Sequence, residues 1–572
     1  MKRSNTGASV QFAAQLSHMQ SPPVLIVGAG PAGLVMALSL LQNDVPVRII
    51  EKDKAHHTGQ RGAAIMPRTI ELYNFLGVLP DIYKHSSPSI PMQSFEMPGG
   101  KVPLKQWRMS PVLEPTPANP WPNSTMLGQD TAERLLREHI RPFGCEVELG
   151  SQLVSLVQTE EYVEATLTKF VDGREVTETT QVKWLIGADG GRSTVRKQLG
   201  LSFLGESRKE RHIIADVHVT GLDMHNLHLF GGGESGTVLI WPNERKDGDL
   251  MTVYATGPDA DYDAMAKDYS VFKAYVEKKL GRPDIALGDS TWLTDYHPNI
   301  RMVDTFQQGR VFLAGDAAHV HSLTGGQGMN TSVQDSFNLG WKLALVERHL
   351  ASPTLLASYT EERLPVVAEV LNITTDLFNK YVSATRERGG WVRGGKLKQL
   401  YVNYRWSSII VDGRASAVGD LVKNPYGNVV DANGGGELEL LRAGDRAPDA
   451  PDLLLDNERT SLFKIFSPSW HTVLMFSSFP VSKMQSSLDK YMNRGLLRAY
   501  VVSRQAVQGD EGNQVHGVHG KLLVDTKGYA HKHYGVGLDT PTVVIVRPDG
   551  VVGAIALDDN DVVKYFSGVF AG

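Results

Sequence analysis

One stretch narrows what this chain can fold into more than any other: Val24-Leu25-Ile26-Val27-Gly28-Ala29-Gly30-Pro31-Ala32-Gly33-Leu34. An apolar run breaks into a glycine turn and resumes with the helical pattern of residues 35–41, the order of strand, phosphate turn and helix. Gly28 and Gly30 let the chain turn sharply and leave its backbone open to a pyrophosphate, while Gly33 lets the helix pack closely on its strand. The helix N-terminus then faces a dianion. A second strand, Val47-Arg48-Ile49-Ile50-Glu51, ends in a carboxylate placed for the hydroxyls of a ribose. Taken alone, the segment is also compatible with a glycine-rich turn in another α/β unit, with Glu51 a solvated strand end.

With 572 residues the chain is too long for one ordinary core, and two or three domains are expected. A hydrophobic fraction of 41% with 21% charged residues is ordinary for a globular enzyme, and a formal charge of -5 gives no electrostatic reason to expect nucleic acid or an anionic membrane as partner. Cys145 is the single cysteine, so no intramolecular disulfide, CxxC pair or thiolate metal site can form; no metal is expected, and redox chemistry must come from a bound cofactor. The uncharged run of residues 22–42 is long enough to resemble a membrane span, but its glycines and proline at phosphate-turn spacing argue for a buried strand and helix. Residues 1–21 are polar and lack the apolar core of a secretory signal, which suggests a disordered arm and a cytoplasmic protein. They also lack acidic residues, so a weak mitochondrial transit reading stays open.

Downstream of Glu51, a loop over 52–62 leads to a helix from Pro67 with Ile70, Leu72, Tyr73 and Leu76 on one face and Gly77 as its stop. Residues 80–123, rich in Pro, Met and Ser, read as an excursion from the nucleotide fold, and 131–140 as a strong helix. Strands over 152–157 and 162–169 with a turn at Asp172-Gly173 form a small antiparallel layer, followed by a strand ending in Gly187-Ala188-Asp189-Gly190-Gly191. Alternating runs at 212–219, 236–241 and 250–255 suggest a larger antiparallel sheet with a helix near 271–280. A buried strand returns at 309–316, then a long helix over 325–350 entered through a glycine turn, and helical periodicity over 359–378. Residues 386–436 read as a connection. From 438 onward, strands near 472–476, 497–502, 543–546 and 551–555 mark a separate α/β unit.

Three separated motifs now line up, each a strand end carrying glycine and a carboxylate: Gly28 to Gly33 with Glu51, Asp189-Gly190, and Gly315-Asp316-Ala317-Ala318-His319 with Gly325-Gly326-Gln327-Gly328-Met329-Asn330. In this order the chain resembles the class A flavoprotein aromatic hydroxylases, which include para-hydroxybenzoate hydroxylase and phenol hydroxylase, over roughly residues 22–380. The resemblance implies a Rossmann-like FAD-binding domain of the GR2 type (22–80, 124–202 and 301–385) and an antiparallel-sheet substrate domain (81–123 and 203–300). Beyond a connecting segment (386–437) it implies the thioredoxin-like domain of the phenol hydroxylase branch (438–572), here without cysteine and so without thiol redox chemistry. It implies that Gly28, Gly30, Pro31, Ala32, Gly33, Glu51 and Lys52 hold the ADP half of FAD, that Arg61 and Gln129 reach the pyrophosphate and ribityl regions, and that Gly315 and Asp316 meet the ribityl chain. Gly328, Met329 and Asn330 would offer backbone donors to the pyrimidine edge of the flavin, where a helix N-terminus supplies a fixed positive field. Asp189, with Arg192 and Arg196, belongs to a motif thought to be shared between FAD and the nicotinamide; a helix-capping Asp189 and a solvated arginine face stay open as alternatives.

The activity so implied is NAD(P)H-dependent reduction of FAD, formation of a C4a-hydroperoxyflavin with O2, and hydroxylation of a phenolic or related aromatic ring, by a homodimer. His321, His212 and Tyr254, with His218, are candidates for a substrate relay, each weighed against a purely structural role. The chain departs from phenol hydroxylase at Gly62-Ala63-Ala64, where that enzyme carries an acid, and at His321-Ser322-Leu323-Thr324, where relatives often carry prolines. Decarboxylative hydroxylation of a hydroxybenzoate, epoxidation, and a flavin-binding accessory role therefore remain open. A halogenase is disfavoured, because its Trp-x-Trp-x-Ile-Pro signature is absent.

Overall fold

The structure, a computed structural model, describes residues 23–171, 173–232, 235–243, 248–322, 325–383, 394–414, 424–427, 440–476, 485–504, 520–537 and 541–571. The expected N-terminal arm, Asp172 of the expected turn, and Leu323-Thr324 lie outside them.

Val24–Val27 pairs in parallel with Trp184–Gly187 on one side and Val47–Glu51 on the other. The sheet extends to Val311–Leu313 and Val147–Leu149, and Gln307–Gln308 closes one edge antiparallel. Its central strand is buried throughout, which is why it reads as an unbroken apolar run rather than an alternation. The helix Pro31–Leu41 leaves the glycine turn with proline in its first turn and packs on Gly328–Glu347, a 20-residue helix buried over nearly its whole length. The two approach so closely that a Cβ on Gly340 would lie 2.3 Å from Ser39 Oγ. Ser151–Gln158, Val163–Val171 and Arg174–Val182 form the small antiparallel layer the sequence suggests.

A second sheet runs in the order Ala286–Tyr296, His212–Thr220, Leu250–Thr256, Thr237–Pro242, Leu227–Gly231, Met92–Phe95, Lys105–Trp107. The Pro/Met/Ser-rich excursion thus supplies its last two strands, and Met92–Phe95 joins in parallel. One face is sealed by the helix Tyr269–Leu280 through Phe272 and Val276. The other carries Ile214, Leu229, Leu239 and Tyr254 beside the larger rings Trp107, Trp241, Trp292 and Tyr296.

The C-terminal unit is built on an eight-stranded mixed sheet and is fastened to the first body at several points. Phe75 packs edge-on to Phe463, with ring centroids 5.2 Å apart. Arg446 grips the fully buried Glu71 of the helix Pro67–Phe75 with Nε 2.8 Å from both carboxylate oxygens. Arg547 donates to both oxygens of Glu362, at 2.7 and 2.9 Å, on the helix Ala357–Ser383, and Lys342 Nζ lies 2.8 Å from the same group. Burial alone would push the Glu362 carboxyl up, but the two cations hold it well below the usual carboxylate range. Burial draws the Lys342 ammonium down to about 8. Among the described residues, no helix is long and apolar enough to cross a membrane.

Candidate functional site

A cavity of about 930 Å³ opens where the C-terminal ends of the parallel strands meet the second sheet. That size suits a large ligand. The crevice at the carboxyl ends of parallel strands is where open α/β sheets bind their ligands.

At the nucleotide end the geometry is set by backbone. Gly28 adopts φ +104°, and a Cβ there would lie 2.2 Å from Ala188 O; a Cβ on Gly33 would lie 2.0 Å from Gly28 O. Neither position admits a side chain. Gly30 differs, since a Cβ on it would meet no protein atom within 4 Å. Its bareness serves no packing purpose and leaves open backbone at the start of an uncapped helix, which is what an anionic ligand needs. Gly28, Gly30, Pro31 and Ala32 line the cavity, whereas Gly33 lies behind them as a packing position.

Glu51 accepts from Ala29 N at 3.0 Å through one oxygen and from Asp53 N at 3.2 Å through the other. It therefore fixes the phosphate turn as well as facing the cavity. The segment that follows is bolted down on two sides: Gly59 N donates to Asp130 Oδ2 at 3.1 Å, and Gln60 N donates to Asp216 Oδ2, on the second sheet, at 3.0 Å. Gly59 has φ +91°, and a Cβ there would meet Trp292 at 2.3 Å. Lys52 and Arg61 line the cavity from this segment; Gln129 does so from its own helix, where it also donates to Glu133 Oε1 at 2.9 Å.

Asp189 borders the cavity, but its oxygens are committed: Ser193 Oγ donates at 2.6 Å, and Thr194 N and Val195 N donate at 2.6 and 3.2 Å. It caps the helix Thr194–Gln198, the plainer of the two sequence readings. Burial pushes its carboxyl up, against those hydrogen bonds. Arg196 is neither solvated nor free, because it donates to Ala317 O and Gly191 O at 2.8 Å and lies over Phe203. Only Arg192 of the two arginines lines the cavity.

Asp316 lines the cavity and is exposed to its open space; desolvation by the surrounding walls pushes its carboxyl up, countered by His319 and Arg61. Gly315 does not line the cavity. Its N–H donates to Asp335 Oδ2 at 3.1 Å, and the same oxygen is 2.6 Å from His319 Nε2. Arg363 Nε binds the other Asp335 oxygen at 2.8 Å and continues to the Tyr404 hydroxyl. This fully buried network holds the Asp316 turn in place. Gly328 and Met329 line the cavity at the start of the long helix, which has no side-chain cap. Asn330 does not: its side chain accepts from Met66 N and donates to Ala64 O and Gly326 O, at 2.8 Å each, tying the neighbouring wall to the glycine turn.

The sheet end corrects the expected relay. His212 and Tyr254 do form a pair, Tyr254 Oη to His212 Nδ1 at 2.7 Å, and burial pushes His212 down to about 4. They lie on the cavity-side face yet do not line the cavity, whereas Tyr296, the cross-strand partner stacked on His212, does. His321 does line it, but its nitrogens are turned away. Nδ1 is 3.0 Å from Ser322 O, and Nε2 is closed in without a partner beside Gly328. Burial holds its ring neutral, down to about 4. His218 is paired with Asp249 and is not part of the cavity lining. The side chains that do form this wall are Ile214, Trp292, Thr294 and Tyr296. Three of them alternate along one edge strand, and that period-2 signal in Trp292-Leu293-Thr294-Asp295-Tyr296 could have revealed them. Gly62, Ala63 and Ala64 face them.

Residues 21–374 match the family model described as the FAD binding domain. A flavin-dependent monooxygenase of Mycobacteroides abscessus is 33% identical over 553 residues, covering 96% of this chain and 99% of that protein. Pentachlorophenol 4-monooxygenase of Sphingobium chlorophenolicum is 31% identical over 355 residues, 61% of this chain and 63% of that one. Among solved structures, a ternary complex of aklavinone-11 hydroxylase with FAD and aklavinone has a TM-score of 0.76 at 23% identity, covering 96% of this chain and 98% of that one. The flavin-dependent monooxygenase PieE in complex with FAD and substrate has a TM-score of 0.78 at 22% identity, with the same coverage.

Proposed function

Because the chain belongs to the FAD-binding-domain family of flavin-dependent monooxygenases, we propose that it uses NAD(P)H and O2 to hydroxylate an extended, uncharged aromatic compound lying against the second sheet. The observation that carries this reading is that one cavity is lined both by the phosphate turn and by an aromatic wall. FAD is the cofactor, and the residues present fit it: open backbone at Gly30, the Glu51 carboxylate, the bare Asp316 carboxylate, and an uncapped helix N-terminus at Gly328. When bound, FAD supplies the transfer of electrons from nicotinamide to dioxygen and of one oxygen atom to the ring.

The protein's share is placement. Gly28, Gly30, Pro31, Ala32, Glu51 and Lys52 would hold the ADP half, Arg61 and Gln129 the middle, and Asp316, Gly328 and Met329 the ribityl and ring portions. Gly33, Gly315 and Asn330 serve by packing behind them. Trp292 and Tyr296 would flank the substrate, excluding water from the reacting face. The sheet wall of the cavity carries no lysine or arginine among the described residues. A carboxylate substrate would lack its partner there, which weighs against a hydroxybenzoate.

The proposal takes the C-terminal unit as thioredoxin-like. That is supported by the parallel pair His471–Phe476 and Leu497–Ser503 lying beside the antiparallel pair Val543–Val546 and Val552–Ala556. The domain limits given by the sequence, a cytoplasmic location and a homodimer belong to the same reading. Its test is NADPH and NADH oxidation by the purified yellow protein with simple phenols, hydroxybenzoates and polycyclic phenols, with hydrogen peroxide measured in parallel. Stimulation by a polycyclic phenol with little peroxide is expected; coupled turnover of a hydroxybenzoate alone would refute the substrate assignment.

A further inference from the structure

The segment after Glu51 holds a group with no part in the account so far. His57 lines the cavity, and its ring lies between carboxylates from two different elements. Nε2 is 3.3 Å from Asp53 Oδ2 on its own segment, and Nδ1 is 3.4 Å from Glu133 Oε2 on the helix Gln129–Ile140. Glu133 is fully buried, and that oxygen has no partner at hydrogen-bond geometry; His57 is its near neighbour at ion-pair distance. A buried carboxylate oxygen left in this state is costly, and an imidazolium is the counter-ion that the geometry offers it. Arg137, at 4.0 Å, is the more distant alternative.

We propose that His57 is a positioning residue for the cofactor: in its protonated form it ties the 52–62 segment to the helix Gln129–Ile140 and adds positive charge to the wall carrying the phosphate turn, so that FAD is held more tightly in acid than in alkali. The inference rests on the FAD assignment above. The segment it ties down is the one that brings Lys52 and Arg61 to the cavity.

The electrostatic surroundings support this direction. The Glu133 carboxylate beside it raises the His57 pKa above its ordinary value; burial opposes, Glu51 assists and Arg61 opposes. From its own segment, His57 meets Asp53, His56 and Arg61, and from the end of the strand before it Glu51; from the helix, it meets Glu133, beside which Arg137 stands. With the folded value raised, the favourable contribution is fully present below the unfolded value of about 6.5 and is lost as pH rises through the folded value. Deprotonation then removes both the counter-ion of Glu133 and one positive charge from a site for a dianion.

The experiment is FAD titration of the full-length apoprotein, followed by quenching of flavin fluorescence, between about pH 6 and about pH 9. Affinity is expected to weaken about tenfold over that range, the equivalent of one unit of linked pKa shift. His57→Gln should bind weakly with a flat profile, and His57→Lys tightly with a flat profile. Glu133→Gln, which keeps the shape and removes the charge, should also flatten the curve, so the test survives if one variant misfolds. A flat wild-type profile, or a His57→Gln protein that keeps the wild-type slope, would overturn the proposal. No flavin binding at any pH would instead overturn the FAD assignment beneath it, so the two failures are distinguishable.

Discussion

On the proposed reading, the nucleotide end of the cavity would recognise its ligand mainly with backbone and fixed charge, and the sheet end mainly with ring faces. At the first, Gly30 and an uncapped helix present bare main chain among Lys52, Arg61 and Asp316, and His57 is drawn toward its charged form. At the second, Trp292, Tyr296 and Ile214 make the wall, and the nearby His212 and His321 are both driven neutral by burial. A phosphate must be met by donors at fixed positions along a few consecutive residues, whereas a flat apolar ring needs only a surface, which strands distant in sequence can share. The two ends should therefore fail in different ways.

The sharpest contrast lies within the glycine turn. Gly33→Val, whose Cβ would collide with Gly28 O, should cost about 4 kcal/mol or more and lose fold and flavin together, as seen in denaturant unfolding. Gly30→Val should leave the apoprotein melting temperature nearly unchanged while weakening FAD binding by about a thousandfold or more, about 4 kcal/mol, because its side chain would occupy ligand space rather than protein space. If Gly30→Val stayed yellow at normal stoichiometry, the cofactor placement would be wrong.

Acid should next divide the two ends. His212 has a folded pKa depressed to about 4, so below the ordinary value of about 6.5 the unfolded chain binds a proton that the folded chain refuses. Stability should fall between those two values, by up to roughly 3 kcal/mol for this residue, whereas the gain in flavin affinity from charging His57 should be complete before pH falls that far. Unfolding curves and flavin titrations that moved in the same direction with pH would break the contrast. The smallest effect concerns the wall itself: Trp292→Ala should weaken aromatic substrate binding about tenfold, or about 1.4 kcal/mol, by difference spectroscopy, with FAD stoichiometry retained.

The same division governs what could be read from the sequence. Strand, turn and helix at residues 24–41, Glu51 one strand later and Asp316 at a strand end are local patterns, so their residues could be assigned before any fold was known, and they line the cavity. His212 and Tyr254 were chosen for their chemistry, and their strands do point them to the cavity-side face. What sequence could not supply was the neighbouring edge strand: Tyr296 pairs with His212 and Thr294 with Ile214, and this edge strand, not His212 or Tyr254, contributes Trp292, Thr294 and Tyr296 to the lining. Arg196 misled for a similar reason, since its partners Gly191 O and Ala317 O are main-chain atoms, one of them 121 residues away. His57 carried no motif at all; only the meeting of loop and helix made it visible.

The buried pairs that join the C-terminal unit to the first body bear on how the enzyme is made. Glu71 and Glu362 leave the ribosome well before Arg446 and Arg547, the arginines that meet them inside the folded protein. Translation is slow enough for the earlier part to begin packing as it emerges, yet the helices Pro67–Phe75 and Ala357–Ser383 cannot bury those carboxylates in their final surroundings until the last arginine arrives. The cavity is lined from the first body alone, by residues between Val27 and Ser332, so its walls are made before those arginines. Shortened chains that lack Arg446 and Arg547 should therefore keep every lining residue and lose stability first, as seen in denaturant unfolding.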